Sequence, residues 1–425
     1  MRYKLLLAGM AVTLQLHSAS ITSLLDTLEK RPEHRLDMLD VEKSALGRQA
    51  IGDKRMPTVG LYAGYEIYNT PNGLLPIAPN NMMKMVKDQR IGQPFSKNIF
   101  REGVNVTWPL FVKSLYTLEE KAQMLNLAAK EKKKLNLIQR EAVVVGSVAQ
   151  LRYLEALKGA LRAKKRSIRQ TEITTKMKVK EGRAPQSAVF VLNSHINALD
   201  IAMNTIDQSL NLLISKIETL TGVHLKKSLS MRVKASVRKG EIFALRPLRS
   251  RVEAGKKGMQ AAHEAYMPSI VTKGSYTLSQ ADAYNNGKSL HEDFGTAGIY
   301  LSMPLFDSSK GTASEQAKVE YLREKTTLDQ TEHMLTVQAK QLEQEMRLLK
   351  KSVLLARKSV ADQKRLLKIA KVSFANGTIT QEEYLRYEDA LADAKAARYK
   401  AEAQKWQDTA QLAVIYGNDL RRIVK

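Results

Sequence analysis

The chain has 425 residues, a formal net charge of +25 and no cysteine. Without cysteine it can form no disulfide, thiolate metal site, cysteine nucleophile or thioether-linked lipid anchor. Only 6% of the residues are aromatic and 26% are charged, which is typical of long helices rather than compact globules. The basic residues are spread along helical segments without a DNA- or RNA-binding motif, so we expect no nucleic-acid partner.

The amino terminus has the layout of a secretory signal peptide over residues 1–19. Arg2 and Lys4 precede a short apolar run, and small residues follow it up to Ala19. We expect cleavage near Ala19 and a mature protein outside the cytoplasm; a buried first helix is the alternative interpretation. No later stretch approaches the 18 or so consecutive apolar residues of a transmembrane helix.

The first half of the chain, residues 20–222, predicts a helix, two strands, a long helix and a return helix. Pro57 ends the first helical pattern, and apolar and polar residues then alternate as they do in strands. A loop rich in Pro, Asn and Gly, residues 69–99, separates the strands. No proline interrupts the long helix, which at 1.5 Å per residue would extend about 100 Å before the turn at Gly182. The predicted bounds are 20–55, about 58–68, about 100–110, 113–181 and 186–221.

The same order returns in the second half of the chain, residues 246–417. The segment GVNVTWPLF at 103–111 recurs as GIYLSMPLF at 298–306, and Gly377 repeats the turn glycine of the first half. A repeat of this length is a whole structural half rather than a solenoid unit. The predicted bounds are 246–266, about 269–280, about 296–306, 309–376 and 381–416, with a linker at 223–245 and a tail at 418–425.

The second long helix carries a heptad seam. Leu328, Leu335, Leu342 and Leu349 are spaced by seven, which favours coiled-coil packing against a neighbouring helix. The shorter helices of each repeat are expected to cover the long one.

Four strands in one chain leave two open sheet edges, which is a liability in water. In a lipid bilayer such edges are not tolerated, so membrane strands close into a barrel. Strands of about ten residues suit an outer-membrane barrel, but four of them cannot enclose a pore. We therefore expect several chains to share one barrel.

The order and spacing of these elements resemble the TolC family of outer-membrane efflux proteins over residues 20–417. The motifs that carry the resemblance are Met-Pro at 56–57 and 267–268, Pro-Leu-Phe at 109–111 and 304–306, and Phe-Ala-Asn-Gly-Thr at 374–378. The family implies a mainly α fold with a β-barrel portion, formed as a homotrimer. A twelve-stranded β-barrel is continued by a twelve-helix periplasmic α-barrel.

The resemblance also implies a location and partners. The chain would lie in the outer membrane of a Gram-negative bacterium, in contact with its lipid, and extend into the periplasm. There it would be a passive, gated exit duct of a tripartite efflux or type I secretion system, served by a periplasmic adaptor and an inner-membrane transporter. Drug, metal and protein cargo are not distinguished. A soluble periplasmic coiled-coil adaptor or scaffold is the alternative, and the alternating strands disfavour it.

Three residues near the second hairpin turn are candidates for the pore and its gate. Family members often place acids six and nine positions after the turn glycine; here these positions are Glu383 and Arg386, so the second is reversed in charge. Solvated charges away from the lumen are the alternative. Phe374 occupies an aromatic gate position of the family, but it also ends a heptad row, so core packing is the alternative.

The resemblance places adaptor docking at the two hairpin tips. The candidate residues are Gly182 and Arg183 in the first tip, and Gly377 and Thr378 in the second. A tip glycine is equally explained by the backbone freedom that a tight turn needs.

Catalytic and metal-binding signals are weak. Met82, Met83 and Met85 could bind soft copper, but without cysteine or histidine neighbours apolar packing in a loop is the better interpretation. No arrangement of nucleophile and base stands out. We expect a protein without enzymatic activity, metal or cofactor.

Overall fold

The computed structural model describes residues 20–425, so the expected signal peptide lies outside the described residues. The chain folds into eight helices and four strands across this range. The helices are α1 (Ile21–Asp26), α2 (Pro32–Asp53), α3 (Pro79–Lys87), α4 (Lys113–Lys180), α5 (Gln186–Thr221), α6 (Arg246–Glu264), α7 (Ser308–Ala375) and α8 (Gln381–Tyr416). The strands are β1 (Thr58–Gly73), β2 (Phe95–Val112), β3 (Ser269–Asp282) and β4 (Ser289–Ser302).

The duplicated order of helix, strand pair, long helix and return helix confirms the predicted fold class. Each long helix has 68 residues and each return helix has 36. Both return helices end at a glycine in the left-handed conformation, Gly222 and Gly417, which lets the chain turn without a Cβ penalty.

The strands are longer than the sequence pattern indicated, and the first loop is shorter. β1 continues to Gly73 and β2 begins at Phe95, because both strands pair beyond a register irregularity between Ile67 and Asn72. The remaining loop contains the nine-residue helix α3, which was not expected. Its proline at the first helical position is favourable there, since that N–H has no intrahelical partner.

The two copies of the Pro-Leu-Phe motif have different structures. In β2 the strand continues through Pro109, where the pairing with β3 shifts register before Phe111. In β4 the strand ends at Ser302, short of the predicted end at 306, and Pro304 follows it. Proline cannot donate a ladder hydrogen bond, so it must sit at an irregularity or outside the strand.

The chain divides into two compact units that do not coincide with the sequence repeats. The first unit comprises residues up to Leu39, Glu131–Arg246 and Gln330–Lys425. The second comprises Asp40–Lys130 and Pro247–Asp329. Each unit therefore combines segments of both repeats.

The core of the first unit is closed by the carboxyl-terminal segment. Leu420 and Val424 are fully buried beside Leu24, Leu28 and Ile217. Residues 420–422 form a short 3-10 turn, and Val424 bridges to Val233 of the segment that follows α5. The predicted tail is thus an integral part of the core, because its apolar side chains complete the packing of α1 and α5.

The second unit contains a four-stranded antiparallel sheet in the order β1-β2-β3-β4. The central pair, β2 with β3, joins the two repeats through twelve residue pairs. Polar contacts fix the helices of this unit: Glu119 accepts from Arg55 at 2.6 Å, Lys257 pairs with Glu120 at 2.6 Å, and the Thr117 hydroxyl donates to buried Glu264.

Within the described residues, no helix is long and apolar enough to cross a membrane. The long helices α4 and α7 are rich in charged residues along their lengths.

Four glycines at helix ends have positive φ, and two of them offer a matched test of packing. Gly377 has φ of +69° with open space where a Cβ would lie. Gly417 has φ of +71°, but a Cβ there would lie 2.3 Å from Cγ of Phe243. We expect Gly377→Ala to cost about 1–2 kcal/mol from the left-handed backbone alone. Gly417→Ala should cost about 1–3 kcal/mol more because the Phe243 ring must move.

The comparison is made by thermal unfolding followed by circular dichroism, at equal protein concentration. Equal losses of stability in Gly377→Ala and Gly417→Ala would contradict the packing at Phe243.

Glu141 gives the first unit a pH-dependent stability. Its carboxyl is 1% exposed, accepts from the backbone N–H of Leu420 at 2.9 Å and pairs with Arg421 at 3.2 Å. Burial raises the pKa of Glu141 to about 7, against the opposing effects of the Leu420 N–H and Arg421. Between about pH 4.5 and 7 the folded chain therefore holds a proton that the unfolded chain has lost, so stability falls as pH rises.

We expect Glu141→Gln to remove this component, which is at most about 3 kcal/mol for a shift of this size. Glutamine keeps an oxygen for the Leu420 N–H and does not titrate. Thermal unfolding between pH 4.5 and 7.5 measures the effect, with Glu181→Gln, an exposed position beside the first hairpin turn, as the control. A wild-type profile that is parallel to that of Glu141→Gln would refute the assignment.

Candidate conduit elements

The four-stranded sheet has one apolar and one polar face. The apolar face is open: Leu61 is 84% exposed and Ile299 is 72% exposed. The pairing of Leu61 with Val104 and of Thr272 with Ile299 places these residues on one side of the sheet, because cross-strand partners share a face. An apolar face of this kind suits contact with lipid rather than water.

The polar face of the sheet is organised by Arg101. Its guanidinium donates to Glu66 at 2.8 Å, to the carbonyls of Gly73 and Leu74 at 2.7 and 3.1 Å, and to Ser279 at 3.2 Å. These bonds link β1, β2 and β3 where the register of β1 is irregular. On the same face, the hydroxyls of Tyr62 and Thr277 are hydrogen-bonded to each other at 2.5 Å.

The outer strands of the sheet, β1 and β4, each lack a neighbour on one side within the part of the chain that the structure describes. Their outward N–H and C=O groups therefore need partners from water or from another chain. β1 has 16 residues and β4 has 14, so both edges are long.

The two hairpin tips are built by left-handed glycines. Gly182 has φ of +73° and Gly377 has φ of +69°. The N–H of Arg183 donates to the Lys178 carbonyl at 2.7 Å, and that of Thr378 donates to the Ser373 carbonyl at 2.9 Å. In both tips the bond spans five residues and closes the end of the long helix.

Both tips present side chains to solvent. Arg183 is 77% exposed and lies 3.3 Å from Glu181, while no atom lies within 4 Å of the Cβ position of either tip glycine. The four predicted docking residues thus lie at the ends of α4 and α7, with space around them for a partner.

The three predicted gate residues lie close together at the second tip, but their contacts are local. The Phe374 ring stacks on Tyr384 with centroids 5.4 Å apart, which ties the end of α7 to the start of α8. Arg386 pairs with Glu382 at 3.0 Å, one helical turn away, rather than with Glu383.

Glu383 has a structural role at the start of α8. Its carboxylate accepts from the N–H of Thr380 at 2.8 Å, while the Thr380 hydroxyl accepts from the N–H of Glu383 at 3.2 Å. This reciprocal pair is a capping box. The N–H and hydroxyl of Thr380 lower the pKa of Glu383, with a smaller effect from Arg386, so this exposed carboxylate keeps its charge.

Arg101 and Glu141 are the residues that the sequence reasoning missed. Arg101 and Glu66 lie on the polar face of strands whose alternation was recognised, so their opposite charges were the available signal. The sequence around Glu141 does not indicate its role, because its partner Arg421 lies 280 residues further along the chain, in the segment that is predicted to be a tail.

No metal site is formed by three or more His, Cys, Asp or Glu residues in the described range. Met82, Met83 and Met85 lie on the short helix α3 rather than in an irregular loop, and Met83 is exposed.

Comparison with known proteins supports the same interpretation of these elements. Residues 241–418, which include the second repeat, match the family model described as outer membrane efflux protein. The second repeat therefore carries the sequence pattern of this family. The family model covers only residues 241–418, whereas the likeness to solved structures extends over both repeats. No curated protein sequence matches the chain.

Solved structures of outer-membrane proteins share the fold of this chain. VceC from Vibrio cholerae aligns with a TM-score of 0.70 and 14% identity, covering 93% of this chain and 96% of its own. CmeC from Campylobacter jejuni aligns with a TM-score of 0.71 and 14% identity, covering 94% and 85%. MtrE from Neisseria gonorrhoeae aligns with a TM-score of 0.68 and 15% identity, covering 95% and 90%.

Substitutions at Glu383 separate its charge from its capping role. Glutamine at this position keeps an oxygen for Thr380 and removes the charge, whereas alanine removes both. We expect Glu383→Ala to lower the melting temperature and Glu383→Gln to change it little, because only alanine removes the cap. Both should shift the channel towards anion selectivity if the carboxylate faces the lumen.

Thermal unfolding measures the first effect, and reversal potentials in planar bilayers under a salt gradient measure the second. An unchanged reversal potential in Glu383→Gln would contradict a position of Glu383 in the pore, and its only role would then be to cap α8.

Proposed function

We propose that three copies of the chain form an outer-membrane exit duct for an efflux or secretion system. The observation that carries this proposal is the four-stranded sheet with an open apolar face and two long unpaired edges. Pairing β4 of one copy with β1 of the next satisfies both edges. It also turns the apolar face towards lipid and the Arg101 face towards an aqueous lumen.

An exposed apolar row on α7, separate from the buried residues of this helix, supports association between copies. Val337, Leu348, Leu355 and Leu366 are spaced by 11, 7 and 11 residues and are all exposed. At 3.6 residues per turn, this row lies on the side of α7 opposite the buried residues Leu342, Val353 and Val360. One face of α7 thus packs within its own chain and leaves the other to a second copy.

The hairpin tips support a role for partners in this duct. We propose that Gly182 and Arg183, with Gly377 and Thr378, are where a periplasmic adaptor docks and links the duct to an inner-membrane transporter. The open space at both tip glycines allows a close approach by a partner backbone. Passage is then driven by the transporter, while the chain itself supplies a passive path.

Gating belongs to the second tip in this proposal. Phe374, Glu383 and Arg386 lie at that tip, and the stacking of Phe374 on Tyr384 couples α7 to α8. Any movement that widens the duct must therefore displace the two helices together or break this stack.

The alternative of a soluble periplasmic adaptor or scaffold is not favoured. Such a protein has no need of strands of 14 to 18 residues with one fully exposed apolar face.

A substitution at Leu355 tests the assembly. Leu355 is 64% exposed, so charge there is tolerated by the separate chain, but it should disrupt packing against a second copy. We expect Leu355→Glu to abolish trimers and bilayer conductance. Leu355→Met, which keeps an apolar side chain of similar volume, should retain both.

Native mass spectrometry in detergent gives the oligomeric state, and planar bilayers give the conductance. Conducting trimers of Leu355→Glu would contradict the role of this row, and a monomeric, non-conducting wild type would contradict the duct.

A further inference from the structure

A cavity of about 480 Å³ lies in the first unit, between the segment that follows α5 and the helices α7 and α8. This volume is in the range of pockets that bind small organic molecules. Its wall contains the apolar side chains of Val237, Met346 and Leu412. Nothing in the duct described above uses this cavity.

The segment that covers the cavity, residues 232–239, is fixed at both ends. Arg232 exchanges two backbone hydrogen bonds with Lys425, of 2.7 and 2.9 Å. Asn418 bonds through its side-chain amide to the N–H and the carbonyl of Arg238, each at 3.0 Å. The cavity is therefore preformed, which lowers the entropy cost of binding.

The lining of the cavity is strongly basic. Four cationic side chains contribute to it, and Glu343 is the only acid among its lining residues. The cations are Lys239, Arg347, Lys350 and Lys405. Glu343 is already engaged, since it pairs with Lys239 at 2.6 Å and accepts from the Tyr416 hydroxyl at 2.9 Å.

Of the other three cations, Arg347 and Lys405 interact with acids only at longer range, with Glu343 and Glu402 respectively. Arg347, Lys350 and Lys405 form no ion pair within the described residues, and the nearby Glu402 is held by Arg357 and Arg398 at 3.1 and 3.0 Å. Burial, together with repulsion from Lys350 and Arg357, lowers the pKa of Lys405 against the smaller opposing effect of Glu402. Like charges collected around a cavity are unfavourable, and a bound anion would relieve this repulsion.

We propose that this cavity binds a small amphiphilic anion, with a carboxylate or phosphate group among Arg347, Lys350 and Lys405 and an apolar part against Val237, Met346 and Leu412. The two headgroups share the chemistry that the cations recognise, namely a compact anion that accepts several hydrogen bonds. The apolar wall then separates an amphiphile from a free inorganic ion. The site is independent of the proposed export function, since it lies wholly within one chain.

Isothermal titration of the purified protein in phosphatidylcholine nanodiscs, which carry no net charge, tests the proposal with octanoate and octyl phosphate as probes. Both should bind saturably. Octanol and octylamine, which share the chain but lack the negative charge, should bind at least tenfold more weakly. Inorganic phosphate, which lacks the chain, should also bind at least tenfold more weakly. The preferred probe of the two anions identifies the headgroup.

Variants locate the binding. Lys405→Met and Lys350→Met each remove one cation and should weaken octanoate binding at least tenfold. Lys405→Arg, which keeps the charge, should bind within about threefold of the wild type. Lys400→Met, on an exposed part of the same helix and outside the cavity lining, is the matched control and should not change binding.

Lys350 is exposed, so its replacement tests the site even if Lys405→Met fails to fold. The proposal is overturned if the wild type shows no saturable binding, if octylamine binds as tightly as octanoate, or if Lys400→Met weakens binding as much as Lys350→Met. Phosphate binding as tight as that of octyl phosphate would equally overturn it, because the apolar wall would then contribute nothing.

Discussion

The pairing of backbone N–H and C=O groups at the sheet edges is the constraint on which the function of this chain depends. A chain that supplies four strands cannot pair both outer strands by itself, and the apolar face makes exposure of the whole sheet to water costly. In the proposed duct, copies of the chain therefore meet along β1 and β4. The proposed duct meets this requirement. Each strand pair leads directly into a long helix, at Lys113 in the first repeat and after Ser302 in the second.

Charge is distributed unevenly between the working parts of the molecule. On the polar face of the sheet, Arg101 is balanced by Glu66 and by backbone carbonyls, so that face is hydrogen-bonded and close to neutral. In the first unit, by contrast, Arg347, Lys350 and Lys405 form no ion pair among the described residues and surround a preformed cavity with one acid, Glu343, in its lining. The overall charge of +25 is thus more than a solvated helix surface, because part of it is concentrated where it can bind a ligand.

The spacing of apolar residues and the positions of proline and glycine predicted most helices and strands of this fold. Proline-free helical composition predicted α4 and α7, and the turn glycines at 182 and 377 marked their ends, because a left-handed residue is a local requirement. Contacts between distant segments could not be predicted in this way. Glu141 with Arg421, and Arg232 with Lys425, join residues whose neighbours along the chain give no sign of the partner.

In the candidate site, too, the positions of the residues were predictable and their contacts were not. Family resemblance located Phe374, Glu383 and Arg386 at one tip, but it did not indicate that Glu383 caps α8 or that Arg386 pairs with Glu382. The sequence predicts a later end for β4, because the motif around Pro304 repeats that around Pro109. The strand in fact ends at Ser302. Pro109 of β2 still lies opposite Val271 of β3, whereas β3 begins at Ser269 opposite Ser302, so Pro304 has no strand beside it in the described chain.

The two hairpin turns, although they repeat one sequence pattern, start their return helices differently. α5 begins after Pro185 without a side-chain cap, whereas α8 begins with the reciprocal bonds of Thr380 and Glu383. In the proposed trimer, the ring of six tips therefore has threefold rather than sixfold symmetry at its periplasmic rim. A protein that binds this rim meets the first and the second type of tip in alternation. One kind of partner can therefore occupy every second tip, and the remaining tips are free for a different contact.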